Sequence, residues 1–191
     1  MMKNLLTTVL LCASVPAFAQ HADEFWKKHC MLKSSFGKGN TTQINIAYPC
    51  DWQEDKGKEK GLNIWTYEAG DQDILMESLM FTPFSEKAPR RTADQIVAKK
   101  TPNDPKNGQF LWSRKLLING HDCAEVACKT KRSVLMLDMY IYTVQYIIPC
   151  KDGELSLGFT ITASTEARAK ELFNEYKTLF YNLANATEIN G

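Results

Sequence analysis

The sequence predicts an α+β fold: an antiparallel β-sheet of about six to seven strands flanked by helices, arranged as an α/β/α sandwich. Three observations predict it. Strand patterns separated by turn signals occur in residues 43–82 and 110–163, and a helix pattern follows each group. Asn119-Gly120, between two of the strands, is a strong signal for a hairpin. Residues 134–148 are apolar on both alternation faces, so this central strand should be covered on both sides.

The N-terminal half predicts one short helix and three strands. Residues 22–31 are the helical candidate. Residues 43–48 alternate apolar and polar side chains and end at a proline, which cannot donate to a β-ladder. Residues 62–68 and 73–82 are two further strands, because Gly70-Asp71 between them is a turn signal.

The middle of the chain changes period and then returns to strands. Thr92 and Gln95 have the spacing of a capping box, which predicts the start of a short helix. Residues 101–108 are rich in Pro, Asn, Asp and Gly and predict a loop. The strands over residues 110–118 and 123–131 then flank the predicted hairpin turn.

The C-terminal third predicts two strands and a long helix. The strand over residues 134–148 is followed by a half-buried strand over residues 154–163. Ser164 or Thr165 can cap the helix that follows. One apolar stripe of this helix should pack on the sheet. Its members are Ala169, Leu172, Phe173, Tyr176, Phe180 and Leu183.

The first 19 residues have the pattern of a cleavable secretory signal peptide. Lys3 supplies the positive region, residues 5–13 are apolar, and Ala17-Phe18-Ala19 is a small-x-small cleavage site before Gln20. The apolar run is too short for a membrane span, which needs roughly 20 residues. We therefore expect cleavage near Ala19 and a periplasmic or secreted protein without a membrane span.

Cleavage would leave 172 of the 191 residues, a length that suits one domain with its own hydrophobic core. We expect a flexible or helical entry segment over residues 20–42 and a single domain over residues 43–186. Lys3 is the one charged residue before Gln20, so the remainder has 22 basic and 22 acidic residues. This balance gives no indication of nucleic acid or of an anionic membrane as a partner.

Five cysteines remain after residue 19, an odd number in a compartment that permits disulfides. Several connectivities are possible. Our hypothesis pairs Cys30 with Cys50, which would tie the entry segment to a strand corner. It pairs Cys123 with Cys150, at strand ends that two hairpins bring near one another, and leaves Cys128 buried.

Four segments carry a resemblance to a known family. Residues 46–52 read IAYPCDW, residues 80–83 read MFTP before a helix, residues 119–124 read NGHDCA at a hairpin, and residues 159–163 read FTITA before the last helix. In this order they resemble the PsbP/Mog1/DcrB-like domains, a family that includes thylakoid-lumen photosystem II subunits, a Ran-binding nuclear transport factor and exported bacterial proteins.

The resemblance spans roughly residues 43–183 and implies a Mog1/PsbP-like sandwich in an exported bacterial member of the family. No segment matches the photosystem-binding or Ran-binding surfaces of the family. The resemblance therefore implies the fold and does not imply a function.

No constellation of residues predicts a catalytic, cofactor or metal site. The chain lacks Gly-x-Ser-x-Gly and Cys-x-x-Cys. The pairs His29-Cys30 and His121-x-Cys123 fall short of the three or four ligands of a zinc site. Carboxylate pairs such as Asp122 and Glu125 are explained by surface solvation.

These observations favour a non-catalytic binding or accessory protein of the cell envelope that recognises a partner protein. The loops over residues 51–61 and 99–108, or an exposed sheet edge, are the expected binding regions. Trp52 and Trp112 are the candidate partner-binding residues, because exposed aromatic side chains often anchor interfaces. The alternative is an enzyme or small-ligand-binding protein whose site assembles from residues distant in sequence.

Overall fold

Ten strands and three helices form within the portion of the chain that the computed structural model describes, namely residues 17–36, 42–56, 62–69, 72–83, 89–100, 108–134, 137–151 and 153–190. The helices are α1 (Ala17–Lys27), α2 (Ala93–Lys99) and α3 (Glu166–Ala186). The strands are β1 (His29–Phe36), β2 (Thr42–Pro49), β3 (Gln53–Lys56), β4 (Leu62–Ala69), β5 (Gln72–Pro83), β6 (Gly108–Ile118), β7 (His121–Val134), β8 (Leu137–Pro149), β9 (Gly153–Ala163) and β10 (Glu188–Asn190).

Seven strands form the main sheet, in the order β3-β4-β5-β9-β8-β7-β6, and every neighbouring pair is antiparallel. The predicted antiparallel sheet of six to seven strands is confirmed. A second sheet of three strands, β1-β2-β10, lies beside it and was not predicted. Its edge strand β10 has three residues, too few for a sequence pattern to reveal.

The turn between β6 and β7 sets the register of that end of the main sheet. Asn119 and Gly120 both have positive φ angles, 46° and 82°, as a type I′ hairpin turn requires. Ile118 therefore lies opposite His121, and each step back along β6 matches one step forward along β7 as far as Trp112, where a bulge interrupts the pairing. The predicted hairpin is confirmed.

Helix α3 covers one face of the main sheet. Its predicted apolar stripe is buried, and the Phe180 ring stacks on Phe159 of β9 with centroids 4.8 Å apart. Thr165 is the N-cap and accepts a hydrogen bond from the Arg168 backbone N–H, as one of the two predicted caps. Among the described residues, no helix combines the length and the apolar character that a bilayer crossing requires.

Helix α2 covers a portion of the opposite face. The predicted capping box forms, with the Gln95 N–H donating to the Thr92 hydroxyl and the Thr92 N–H donating to the Gln95 side chain. Ala93 and Ile96 pack on β7 in a second hydrophobic cluster with Ala124, Val126 and Cys128. Helices on both faces complete the predicted α/β/α sandwich.

The single strand predicted over residues 134–148 spans the end of β7 and most of β8. β7 continues to Val134 and β8 begins at Leu137, which is 71% exposed. In β8, alternate side chains from Tyr142 to Ile148 are buried and those between them are half-buried. The two-sided apolar pattern is nevertheless present within β8. Its buried side chains belong to the main core, and Ile147 on the opposite face packs against the cluster that contains Ala93 and Ile96 of α2.

The entry segment also differs from the helix predicted over residues 22–31. Helix α1 ends at Lys27, and β1 begins at His29 and pairs with β2 residue for residue. β3, a polar strand at the edge of the main sheet, occupies some of the expected loop over residues 51–61. In both segments, pairing with a neighbouring strand decides the conformation, and local propensity does not.

The cysteines confirm one predicted bridge and contradict the other. Cys30 and Cys50 form a disulfide, which ties β1 to the turn after β2. Cys123 and Cys150 are buried thiols that are not joined in a disulfide, and Cys128 is a buried thiol, as predicted. Because Ala124 pairs with Ile147, Cys123 lies opposite Ile148, which is two residues before Cys150 on the neighbouring strand. Such diagonal neighbours lie roughly 7–8 Å apart, beyond the reach of a disulfide.

Candidate functional site

A buried carboxylate lies where β6 and β7 face helix α3. Glu125 of β7 is 2% exposed, and its carboxylate accepts three hydrogen bonds. Trp112 Nε1 donates to Oε1 at 2.6 Å, and Arg114 donates from Nε to Oε1 at 3.1 Å and from Nη2 to Oε2 at 2.9 Å. A buried charge is costly unless it is paired and hydrogen-bonded. These three residues, which we call the Glu125 clamp, meet that requirement.

The hairpin register brings the clamp together. Arg114 lies opposite Glu125, and Trp112 lies opposite Ala127. Trp112 and Arg114 are two residues apart on one strand, so their side chains point to the same face of the sheet. That face is the one that α3 covers, because Ala127 belongs to the same core cluster as the buried residues of α3.

A groove with a volume of about 220 Å³ opens between the clamp and α3. Aromatic rings form its walls, and the Trp112 and Phe173 ring centroids are 5.8 Å apart. Trp112 is 36% exposed and Tyr181 is 38% exposed, so both rings are accessible from the surface. Arg114 and Lys177 also line the groove.

Two titratable groups of the groove, Arg114 and Tyr146, keep fixed protonation states near neutral pH. The hydrogen bond to Glu125 raises the pKa of Arg114, so its guanidinium stays charged. Burial, reinforced by the nearby Glu125 carboxylate, raises the pKa of Tyr146, so its phenol stays neutral. The groove therefore offers a fixed positive charge and apolar rings to whatever enters it.

A second pocket of about 230 Å³ lies at the other end of the same face, near the start of α3. Its cationic residues are engaged in ion pairs, since Lys129 contacts Glu166 at 2.6 Å and Lys131 contacts Asp138 at 2.6 Å. Both pockets are smaller than the roughly 300–1,000 Å³ that is typical of small-molecule sites. The second pocket offers no exposed tryptophan among its described lining residues, so the groove is the stronger candidate.

Within the described ranges, no three His, Cys, Asp or Glu side chains lie close enough to hold a metal ion. Cys30 is bound in a disulfide and cannot ligate a metal. Asp122 and Glu125 point to opposite faces of β7 and do not form a catalytic pair. Asp122 instead contacts Lys115 at 2.9 Å.

The two tryptophans proposed as partner-binding residues differ in exposure: Trp52 is buried and Trp112 is accessible. Trp52 is 4% exposed and packs against Phe25 of α1 and Tyr67 of β4, with ring centroids 5.6 Å and 6.4 Å away. The expectation that Trp52 lies at the surface is wrong, because α1 covers it. Trp112 lies at the groove. Residues 57–61 and 101–107 of the two expected binding loops lie outside the described residues.

The sequence analysis did not identify the other residues of the groove. Arg114 and Glu125 could have been found, because the Asn119-Gly120 turn places them opposite each other once its two-residue loop is recognised. Phe173, Lys177 and Tyr181 recur at intervals of four residues, so they share one side of α3. No sequence signal showed that this side of α3 faces β6.

The thiol of Cys123 lies buried two residues before Glu125 on the same face. Burial, together with the Glu125 charge, raises the pKa of Cys123 from its ordinary value of 9.0 to about 12. A raised pKa means that the folded state holds the proton more tightly than the unfolded state. This group therefore stabilises the fold fully below about pH 9, and its contribution falls as the pH rises from about 9 towards about 12.

We expect Cys123 to resist iodoacetamide at about pH 8 in the folded protein and to react once the protein is unfolded. Peptide mapping after alkylation checks this. We also expect the alkaline loss of stability to be smaller in a Cys123→Ala variant than in the unsubstituted protein. Rapid alkylation of Cys123 under native conditions would contradict the placement of this thiol in the core.

The fold and the groove together define an α/β/α sandwich domain with a basic, aromatic surface groove. No protein-family model matches the chain, and no curated protein matches its sequence. Among solved structures, the chain is similar to LpqN from Mycobacterium tuberculosis, described as involved in cell envelope biogenesis. The identity is 12%, the match covers 89% of this chain and 96% of LpqN, and the TM-score is 0.47.

The chain is also similar to the Ran-binding protein Mog1p of Saccharomyces cerevisiae. Here the identity is 10%, the match covers 83% of this chain and 96% of Mog1p, and the TM-score is 0.42. Mog1 proteins, which belong to the family that the sequence motifs resemble, are thus among the solved structures similar to this chain.

Proposed function

We propose that this chain is an exported, non-catalytic binding protein of the cell envelope, and that it holds a side chain of a partner protein in the groove between β6 and α3. One observation carries the proposal. Trp112 and Tyr181 are both exposed beside Arg114, and Trp, Tyr and Arg are the residue types most enriched in the binding hot spots of protein interfaces.

The Glu125 clamp prepares this surface for binding. The 2.6 Å hydrogen bond from the Trp112 indole to a buried carboxylate holds the ring in one orientation before any partner arrives. Ordering a side chain on binding costs roughly 0.5–1.5 kcal/mol, and a ring that is already ordered avoids most of this cost. Rigid aromatic anchors of this kind are typical of protein-binding surfaces.

The dimensions of the groove favour a single side chain as its occupant. A volume of about 220 Å³ is below the usual range for drug-sized ligands. Because Glu125 is buried and paired, Arg114 and Lys177 present the charge at the surface of the groove. An apolar or acidic side chain is therefore the chemistry that fits.

The proposed location rests on two observations. The N-terminal sequence predicts export, although residues 1–16 lie outside the described residues. The disulfide between Cys30 and Cys50 favours an oxidising compartment outside the cytoplasm, and we propose the periplasm. Cleavage after Ala19 would leave the buried contacts of α1, made by Ala22 and Phe25, in place.

A crosslinking pull-down from the envelope fraction tests the function. The bait is the unsubstituted protein or a Tyr181→Ala/Lys177→Glu variant, since both of these side chains lie at the surface of α3 and their loss should leave the fold intact. We expect one stoichiometric partner, bound about 30-fold or more weakly by the variant, because a hot-spot residue contributes at least about 2 kcal/mol.

Leu137→Ala is the matched control, because Leu137 is an exposed apolar residue at the far end of the sheet, outside the groove. This variant should bind the partner as the unsubstituted protein does. Equal recovery of the partner by the groove variant would overturn the assignment of the groove. Recovery of no partner, under conditions that preserve other envelope complexes, would overturn the binding function itself.

A further inference from the structure

The outer edge of β6 has backbone groups available for pairing with another strand. β6 ends the main sheet, and within the described ranges no strand pairs with its outer side. The type I′ turn makes Ile118 and His121 a hydrogen-bonded pair, so both backbone groups of Ile118 point towards β7. Since this direction alternates along an antiparallel strand, those of Ser113, Lys115 and Leu117 point outward.

The two cationic residues of β6, Arg114 and Lys115, are both engaged in ion pairs. Edge strands commonly use lysine to prevent another strand from pairing. Here Lys115 contacts Asp94 at 3.1 Å and Asp122 at 2.9 Å, both on the α2 face of the sheet. Arg114 is engaged by Glu125 on the α3 face. These ion pairs hold both side chains on the faces of the sheet, so neither covers the outward backbone groups of β6.

We propose that the partner contributes an extended segment that pairs with the outer edge of β6 as an additional strand. This inference rests on the proposed function and specifies the conformation in which the partner segment binds. The bulge after Phe110 ends the regular run of β6, so the segment lies opposite residues 113–117. Main-chain hydrogen bonds supply the affinity, and alternate side chains supply the specificity.

The two faces of β6 specify different side chains in the segment. On the α3 face, its residues lie next to Trp112, Arg114 and the cationic Lys177, so acidic and apolar side chains fit there. On the α2 face they lie next to one lysine and two aspartates, so basic or neutral side chains fit. The segment thus alternates acidic or apolar residues with basic or neutral ones.

A second copy of this chain fits the edge less well. β6 contains two cations, Arg114 and Lys115, and no acidic residue. A pair of β6 strands related by a two-fold axis would place both Arg114 side chains on the same face. Like charges across a strand pair are destabilising.

Phage-displayed random nonapeptides, selected on the protein purified from cells that express the full chain, provide the test. We expect enrichment of sequences with the alternation described above. The enriched peptide should bind about tenfold more weakly to Leu117→Pro, which removes an outward N–H, than to Leu117→Ala, which removes the same exposed side chain and keeps the N–H. Selection of no peptide, or equal affinity for the two variants, overturns the inference.

Backbone N-methylation of the peptide gives a readout that does not depend on the folding of a variant. Methylation of one alternating set of peptide amides should abolish binding, and methylation of the other set should leave it within a few-fold, because an added strand uses only every second N–H. Equal tolerance of both sets overturns the inference.

The variants also distinguish this inference from the proposed function. If Leu117→Pro still binds the envelope partner and the Tyr181→Ala/Lys177→Glu variant does not, the proposed function is supported and the strand-addition inference is overturned.

Discussion

Substituting Arg114 with methionine is expected to lower the free energy of unfolding by about 3 kcal/mol at neutral pH. Glu125 is almost fully buried, and Arg114 supplies two of its three hydrogen bonds. Removing the partner of a buried charge leaves that charge uncompensated in the core, which typically costs about 3–5 kcal/mol where both partners are buried. We take the lower end of this range because the Arg114 side chain is 65% exposed and Trp112 still donates to the carboxylate. Urea unfolding followed by circular dichroism measures the difference.

The double variant Arg114→Met/Glu125→Leu should recover most of this loss, because it removes the charge together with its partner. Lys28→Met is the control for loss of a surface ion pair, since the Lys28 and Asp51 side chains are both exposed and such pairs contribute at most about 1 kcal/mol. A loss at Arg114 no larger than that at Lys28, or a double variant less stable than Arg114→Met, would show that the clamp does not stabilise the core.

Removing the disulfide is expected to have an effect of similar size. The Cys30→Ser/Cys50→Ser variant should be less stable than the unsubstituted protein by about 3 kcal/mol, because the bridge closes a loop with a sequence separation of 20 residues and so restricts the unfolded chain. The two chains are compared by guanidinium unfolding without reductant.

Two controls accompany this measurement. Dithiothreitol should destabilise the unsubstituted protein by a similar amount and leave the stability of the double serine variant unchanged. The disulfide joins β1 to the turn after β2, in the small sheet, whereas the groove lies between β6 and α3. Binding at the groove should therefore survive the substitution as long as the protein is folded. No change in stability on reduction would mean that the bridge does not constrain the chain.

The sequence by itself determined the elements whose signals are local. The capping box at Thr92, the hairpin turn at Asn119-Gly120 and the apolar stripe of α3 each depend on residues a few positions apart, and each is present as predicted. The signal peptide and the limits of the single domain stay predictions, because nothing in the structure tests them.

Strand partners far apart in sequence decided the elements that local patterns missed. β1 became a strand because β2 lies beside it, although its residues 29–31 had been assigned to a helix. Cys123 and Cys150 do not form the predicted disulfide, because the β7–β8 register places the two residues on a diagonal. Spacing along the chain contains no information on such a register, because one residue of slip changes every contact.

The candidate site shows the same division between sequence and tertiary structure. The sequence determined that Arg114 lies opposite Glu125, because the turn type fixes the hairpin, and it singled out Trp112 as an aromatic residue on the same strand. Only the tertiary structure decided that α3 lies over this face, which buries Glu125 and leaves Trp112 and Tyr181 exposed. Only α1, docked by contacts between distant segments, decided that Trp52 is buried. Exposure depends on which elements pack together, and that is a property of the whole fold.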